Sequence, residues 1–318
     1  MLSRLGYPPA RAILARGFAT VVLLFVPLVV ARELLPHWAT APATLSVIGA
    51  GIAIGGSRTF VVGLQVVLAV LVSCASAFAG NTWMLTSLVA AACLVGVRAH
   101  RTHSGAFATA PLIVASIGWT PMPAPPVGVG AVLLGSMFWG LACLEVLGIR
   151  RPARGASAAE VHAFARFVPA TIAALAAIGS ALELPHGAWL VGTAALLVRP
   201  EVERTRARSV NRVIGTIVGI ALASIVTPLG RDAALAAAFL CAVHMVAYAL
   251  AADYLRQTAF ATPFTLLMLA AVSPHAPWQV FLERLAWNVL AALVAFALSA
   301  AQAHALRQMG AEHSPKVS

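Results

Sequence analysis

Arg212, Gly215, Thr216 and Gly219 follow one another at spacings of three and four residues, so on a helix they share one face. A guanidinium carries parallel N–H donors that match the two oxygens of a carboxylate. Thr216 adds a neutral hydroxyl, and the Gly215/Gly219 pair is a G-x-x-x-G spacing that lets a second helix come close within a bilayer. The face is entered from a polar stretch holding Arg199-Pro200, Arg204, Thr205, Arg206 and Arg208. Arginines beside a small-residue helix suit anion handling. Arg206 and Arg212, nearest the glycines, are the candidate carboxylate contacts. The plainer alternative makes the arginines of this stretch topogenic charges that fix orientation and meet anionic headgroups, a role that suits Arg204 and Arg208.

Two further residues could carry protons. Glu145 stands between Leu144 and Val146 in an apolar run, and His244 lies inside another. A carboxylate in lipid is expensive and tends to be paired or functional, but Glu145 also lies close to Arg150 and Arg151, as a helix-end charge would. His244 could carry a proton or simply bond a neighbouring backbone carbonyl. There is no Ser–His–Asp context, H-E-x-x-H, P-loop or dinucleotide fingerprint. Cys74, Cys93, Cys143 and Cys241 form no C-x-x-C pair and sit in apolar runs, as helix-packing residues do. The expectation is a protein that is not an enzyme and needs no cofactor or metal.

These residues are embedded in a chain that is 61% hydrophobic and 10% charged, with a mean hydropathy of +0.91. Such a balance specifies transmembrane helices. Apolar runs fall at about 18–31, 39–56, 60–79, 83–97, 105–120, 127–148, 165–182, 187–198, 211–228, 231–252, 259–273 and 280–303. They predict an all-α, polytopic transmembrane bundle of about twelve helices, or ten if the shorter runs are broken or re-entrant. Trp38, Trp83, Trp119, Trp189 and Trp278 lie near run ends, where an aromatic belt would place them. The net charge of +11 does not read as nucleic-acid binding, because the arginines sit in short loops rather than on a soluble basic face.

Stepping through twelve spans from a cytosolic N-terminus puts 18 of the 21 Lys and Arg residues on the cytosolic side, leaving Arg32, Arg231 and Arg284 outside. That asymmetry predicts a multi-pass protein of the inner (plasma) membrane with both termini in the cytosol. Leu35-Pro36-His37 recurs as Leu184-Pro185-His186, and Phe107-Ala108-Thr109 as Phe260-Ala261-Thr262. Ser57-Arg58-Thr59 with Gly63 also parallels the Arg206–Gly215 region. The expected organisation is two six-helix parallel repeats: a first transmembrane half over 1–149, a cytosolic linker over 150–166, a second half over 167–306 and a cytosolic tail over 307–318.

Trp189, Arg199-Pro200, Thr205-Arg206-Ala207-Arg208 and Arg212-Val213-Ile214-Gly215-Thr216-Ile217-Val218-Gly219 together resemble the signature of the fusaric acid resistance (FUSC) and aromatic acid exporter family. Tyr248 and Phe260-Ala261-Thr262 resemble its later part, so the likeness runs over roughly residues 186–290. The chain departs from larger members, which carry a sizeable cytosolic region between two membrane halves, and it lacks a glycine after Arg284. The resemblance implies a transporter exporting aromatic carboxylates of the fusaric acid or hydroxybenzoate type, driven by protons, with Trp189 as a stacking surface for the aromatic ring; an inside-negative potential by itself already favours anion exit. Its partners would be the lipid bilayer, a small organic anion, and a periplasmic adaptor or further copies of the chain. The competing readings are a passive organic-anion channel, like the plant malate channels, and a non-transporting scaffold of an envelope complex.

Overall fold

The computed structural model describes residues 11–39, 42–43, 58–100, 106–119, 124–149, 156–184, 187–272 and 277–312. Among them are eleven α-helices and no strand. They are α1 (Arg11–Leu34), α2 (Arg58–Ala77), α3 (Thr82–His100), α4 (Ala106–Trp119), α5 (Pro126–Val146) and α6 (Ala158–Ala181). After these come α7 (Gly187–Leu197), α8 (Val202–Val226), α9 (Arg231–Leu250), α10 (Tyr254–Val272) and α11 (Pro277–Glu312). The predicted run 39–56 lies mostly outside the described residues. Five described helical segments are long and apolar enough to cross a membrane: Pro126–Val146, Ala158–Ala181, Val202–Leu229, Arg231–Leu250 and Trp278–Met309.

Two boundaries differ from the hydropathy reading, each for a local reason. α6 begins at Ala158 rather than 165 because Ser157 and Glu160 form a reciprocal cap. The Ser157 hydroxyl accepts from the Glu160 amide (3.3 Å), and the Glu160 carboxylate accepts from the Ser157 amide (2.8 Å). Two of the four orphan donors at the helix start are thereby used, and a negative charge sits at the positive helix end. α11 has 36 residues rather than the 280–303 run. At 1.5 Å per residue it is about 54 Å long, well beyond a hydrocarbon core of about 30 Å. Arg284, which lies within the predicted run and which the charge count placed on the outer side, is buried at 9% exposure.

The chain divides into two compact units. The larger comprises Leu24–Arg206 with Leu293–Ser318. In it α2 packs on α5 and α4, α3 on α4 and α6, and α4 on α7. Its interior is filled by Leu68, Ile113, Ile117, Leu133, Met137, Phe164 and Ile172. The smaller comprises Met1–Leu23 with Ala207–Ala292. Here α9 and α10 form a hairpin whose turn leaves Ala252 at φ 58°. Asp253 ends the turn by accepting from the Arg256 amide at 3.1 Å, the N-capping bond that starts α10. Ala223, Ala234, Ala238, Leu266, Leu267 and Phe281 form the core of this unit, and Gly17 of α1 lies against Val243 and Ala247 of α9.

Both units leave bulky apolar side chains outward, among them Val127 at 79%, Ile225 at 69% and Leu293 at 60% exposure. An apolar exterior on this scale fits hydrocarbon, not water. Trp83 and Trp278 are exposed in the first turns of α3 and α11, where an aromatic belt anchors helix ends.

Candidate functional site

The site grows from the buried face of α8. Thr205, Ser209, Arg212, Gly215, Thr216 and Gly219 are all buried along it, at the three- and four-residue spacing of one helical stripe. Arg206 is not on this stripe. Six residues at 100° each turn it about 120° from Arg212 around the axis. It is part-exposed, pairs with Glu203 at 3.1 Å and donates from Nε to the Ser299 hydroxyl at 3.4 Å. Trp189 is half-buried in α7, within the larger unit.

The Arg-Pro turn ahead of α8 has a structural explanation. The Thr205 hydroxyl accepts from the Arg199 amide (2.8 Å) and donates to the Arg199 carbonyl (3.0 Å). One side chain thus satisfies both backbone groups of a buried residue where the chain turns into the helix. This accounts for the six-residue spacing of Arg199 and Thr205 without any ligand. The neighbouring charges are also occupied: Arg204 pairs with Glu201 at 3.4 Å, and the Arg208 guanidinium lies 4.0 Å from the centre of the Tyr254 ring.

Gly215 and Gly219 mark a close helix crossing. A Cβ on Gly215 would stand 2.8 Å from Thr258 Cβ, and one on Gly219 would stand 2.6 Å from Thr262 Cβ and 2.7 Å from Pro263 Cδ. The partner helix is therefore α10, and it meets the glycine pair with a threonine pair of the same four-residue spacing. The contact is small residue against small residue, as expected where dispersion rather than water drives association.

The polar groups at this crossing set it apart. Many other helical hydroxyls bond the carbonyl one turn back, such as Thr171 to Phe167, Ser224 to Ile220 and Thr265 to Ala261, at 2.9–3.0 Å, although the Ser76 hydroxyl of α2 is likewise without a partner among the described residues. The Thr216, Thr258 and Thr262 hydroxyls make no such bond. All three are buried and have no hydrogen-bond partner among the described residues. An unsatisfied buried hydroxyl costs about 1–3 kcal/mol. Three at one crossing mark a place where a polar guest would find donors and acceptors waiting.

Arg212 completes the arrangement. It is 6% exposed, so it does not snorkel along a lipid-facing surface. Its Nε donates to Asn288 Oδ1 of α11 at 2.7 Å. Asn288 Nδ2 in turn donates to the Arg284 carbonyl at 2.6 Å. Among the described residues no carboxylate pairs with Arg212. Asn288 was not a sequence candidate, although an Asn four residues after an Arg inside an apolar run is a readable sign of a polar contact, and the structure buries it fully.

The two proton-linked candidates lie elsewhere on their helices. Glu145 is exposed in the last turn of α5. His244 stacks on Phe260 with ring centres 4.8 Å apart, and Phe260 stacks on Tyr248 at 5.6 Å. His244 Nδ1 lies 2.9 Å from the Leu240 carbonyl, and since a carbonyl only accepts, Nδ1 carries the hydrogen. Arg256 sits 5.4 Å from the Tyr248 ring centre, held by Asp253 at 3.5 Å. The later family-like residues Tyr248 and Phe260 therefore form an aromatic joint between α9 and α10.

A shallow pocket of about 220 Å³ opens between α8, α9 and α10, lined by apolar side chains including Leu222, Leu240, Phe260 and Pro263. Leu222 is ten residues beyond Arg212, about 15 Å along the helix. One benzoate-sized molecule does not span both places.

Comparison with known proteins agrees with the motif reading. An uncharacterized protein of Synechocystis sp. is 30% identical over 126 residues, which are 39% of this chain and 17% of that relative. The match thus spans about a sixth of the cyanobacterial protein's length. No solved structure matches the chain significantly. Residues 172–298, which hold the whole of α7 to α10 with the Arg212–Asn288 pair, match the family described as fusaric acid resistance protein-like.

Proposed function

We propose that this membrane protein exports small organic anions, aromatic carboxylates of the fusaric acid or hydroxybenzoate type, with Arg212 and Thr216 as the contacting pair. The observation that carries this reading is a buried guanidinium with no carboxylate partner among the described residues, set beside three buried hydroxyls without partners. A cation held away from water needs an anion to offset its desolvation, and a substrate carboxylate is one. Gly215 and Gly219 serve the site by letting α10 bring Thr258 and Thr262 to it. An inside-negative membrane potential favours exit of each negative charge by about 2.3 kcal/mol per 100 mV. Export therefore needs no ATP-binding fold. Cells with and without the gene, loaded with radiolabelled benzoate, test the idea. Faster loss of label with the gene, and no effect on benzamide, is expected, whereas equal efflux of both compounds removes the proposal.

The same reading has the chain in the inner membrane with both termini cytosolic, built from two six-helix parallel halves over 1–149 and 167–306. Internal prolines in α4 and α10, each near a Phe-Ala-Thr triplet, support the repeat. For the orientation, single cysteines replace Arg204 or Gly80 in a cysteine-free background. An impermeant maleimide added to intact cells is expected to label Gly80→Cys and spare Arg204→Cys. The reverse pattern inverts the topology.

A further inference from the structure

We propose that Asn288 is the positioning residue that presents Arg212 to a carboxylate end-on and, by being an amide rather than an acid, keeps its charge available. The inference rests on the export reading and names how its site selects a ligand. Asn288 is fully buried, and its amide has one satisfactory orientation. Nδ2 donates to the Arg284 carbonyl at 2.6 Å, so Oδ1 faces the Arg212 Nε–H at 2.7 Å. Turned over, the amide would set N–H against N–H at Arg212 and oxygen against oxygen at Arg284, losing both bonds.

This bond decides how Arg212 can be used. A guanidinium receives a carboxylate side-on, through Nε and one Nη, or end-on, through both Nη groups. With Nε engaged by Asn288, the end-on fork remains. No other hydrogen bond from this guanidinium is made to the described residues. The ligand therefore approaches along the axis of the side chain, one helical turn from Thr216, whose hydroxyl is free to meet it.

Charge matters as much as direction. An aspartate at 288 would have nearly the same shape and could still accept from Nε, but it would neutralise Arg212 from within. A buried ion pair of that kind occupies the receptor with the protein's own carboxylate. The amide holds the arginine without discharging it.

The test measures binding of benzoate and of benzamide to purified, detergent-solubilised full-length protein by calorimetry, together with the melting temperature. Wild type is expected to prefer benzoate. Asn288→Asp gives up the bond to the Arg284 carbonyl and is expected to melt somewhat below wild type, and to lose benzoate affinity by about tenfold or more, the loss of one charge-assisted interaction. Its preference over benzamide should vanish with it. A purely structural Asn288 would lower the melting temperature and leave that preference intact. Asn288→Asp with benzoate affinity and preference equal to wild type overturns the inference while leaving the export reading standing. Wild type that binds no benzoate overturns both. If Asn288→Asp does not fold, Asn288→Ala decides. Freed of its anchor, Arg212 should keep the preference for benzoate but bind it about tenfold more weakly, and unchanged affinity in that variant also overturns the inference.

Discussion

Gly219→Leu is expected to unfold the α8–α10 crossing and to leave little monodisperse protein after detergent extraction. The leucine Cβ alone would stand 2.6 Å from Thr262 Cβ, 2.7 Å from Pro263 Cδ and 3.1 Å from the Ala259 carbonyl oxygen. None of these atoms is the tip of a flexible side chain, so relief requires α10 to move as a body. Overpacking a tight core costs about 1–3 kcal/mol when the surroundings can adjust. Here they are backbone, a proline ring and a Cβ, and three more carbons follow, so the loss should exceed that range. Moving α10 would also carry Thr258 and Thr262 away from Thr216. Gly219→Ala should fall between wild type and Gly219→Leu. Ile217→Leu, on the outward face at 53% exposure, should melt within a few degrees of wild type. Thermal unfolding followed by fluorescence-detected size exclusion compares them. Equal melting of Gly219→Leu and Ile217→Leu would refute the packing account.

Arg212→Lys is expected to abolish most benzoate export while preserving expression. A lysine keeps the positive charge, so a residue that only fixed topology would tolerate the change. It lacks the planar fork and the Nε–H, however, and so loses both the bond to Asn288 and the paired donors for a carboxylate. One charge-assisted hydrogen bond is worth about 1.5–3 kcal/mol, which corresponds to roughly 10- to 100-fold in transport at limiting substrate. Buried at 6% exposure, the site gives water little opportunity to replace the lost donors. Efflux measured at matched expression separates the cases, and wild-type efflux from the lysine variant would reduce Arg212 to an orientation signal. Arg206→Lys is the control: off the buried stripe, its part-exposed pair with Glu203 survives on charge alone, and losing the 3.4 Å bond to Ser299 should leave export nearly unchanged.

Much of this was legible in the order of residues. Apolar runs predicted the helices because a spanning backbone in lipid must satisfy its own hydrogen bonds, whatever surrounds it. The stripe Arg212–Gly215–Thr216–Gly219 was readable as one buried face because helical periodicity is a property of the chain alone. Where hydropathy misplaced a boundary, the signal was local and polar, as with the Ser157–Glu160 cap that starts α6 before its apolar run.

The partners of that face were not legible. Every helix here offers lipid a similar apolar surface, so hydropathy cannot say which two will touch. That Gly219 meets Thr262 and Pro263 depends on shape complementarity between two helices. That Arg212 meets Asn288 depends on a contact across 76 positions of sequence. Thr216 illustrates the division. A threonine in a helix ordinarily bonds its own backbone, and the sequence, though it marked Thr216 as a candidate contact, could not show that its hydroxyl forgoes that bond. The chain by itself determined which residues form spans and which share a face. Only the tertiary structure decided which faces meet, because dispersion between close-packed helices and hydrogen bonds across them exist only once two particular backbones lie side by side.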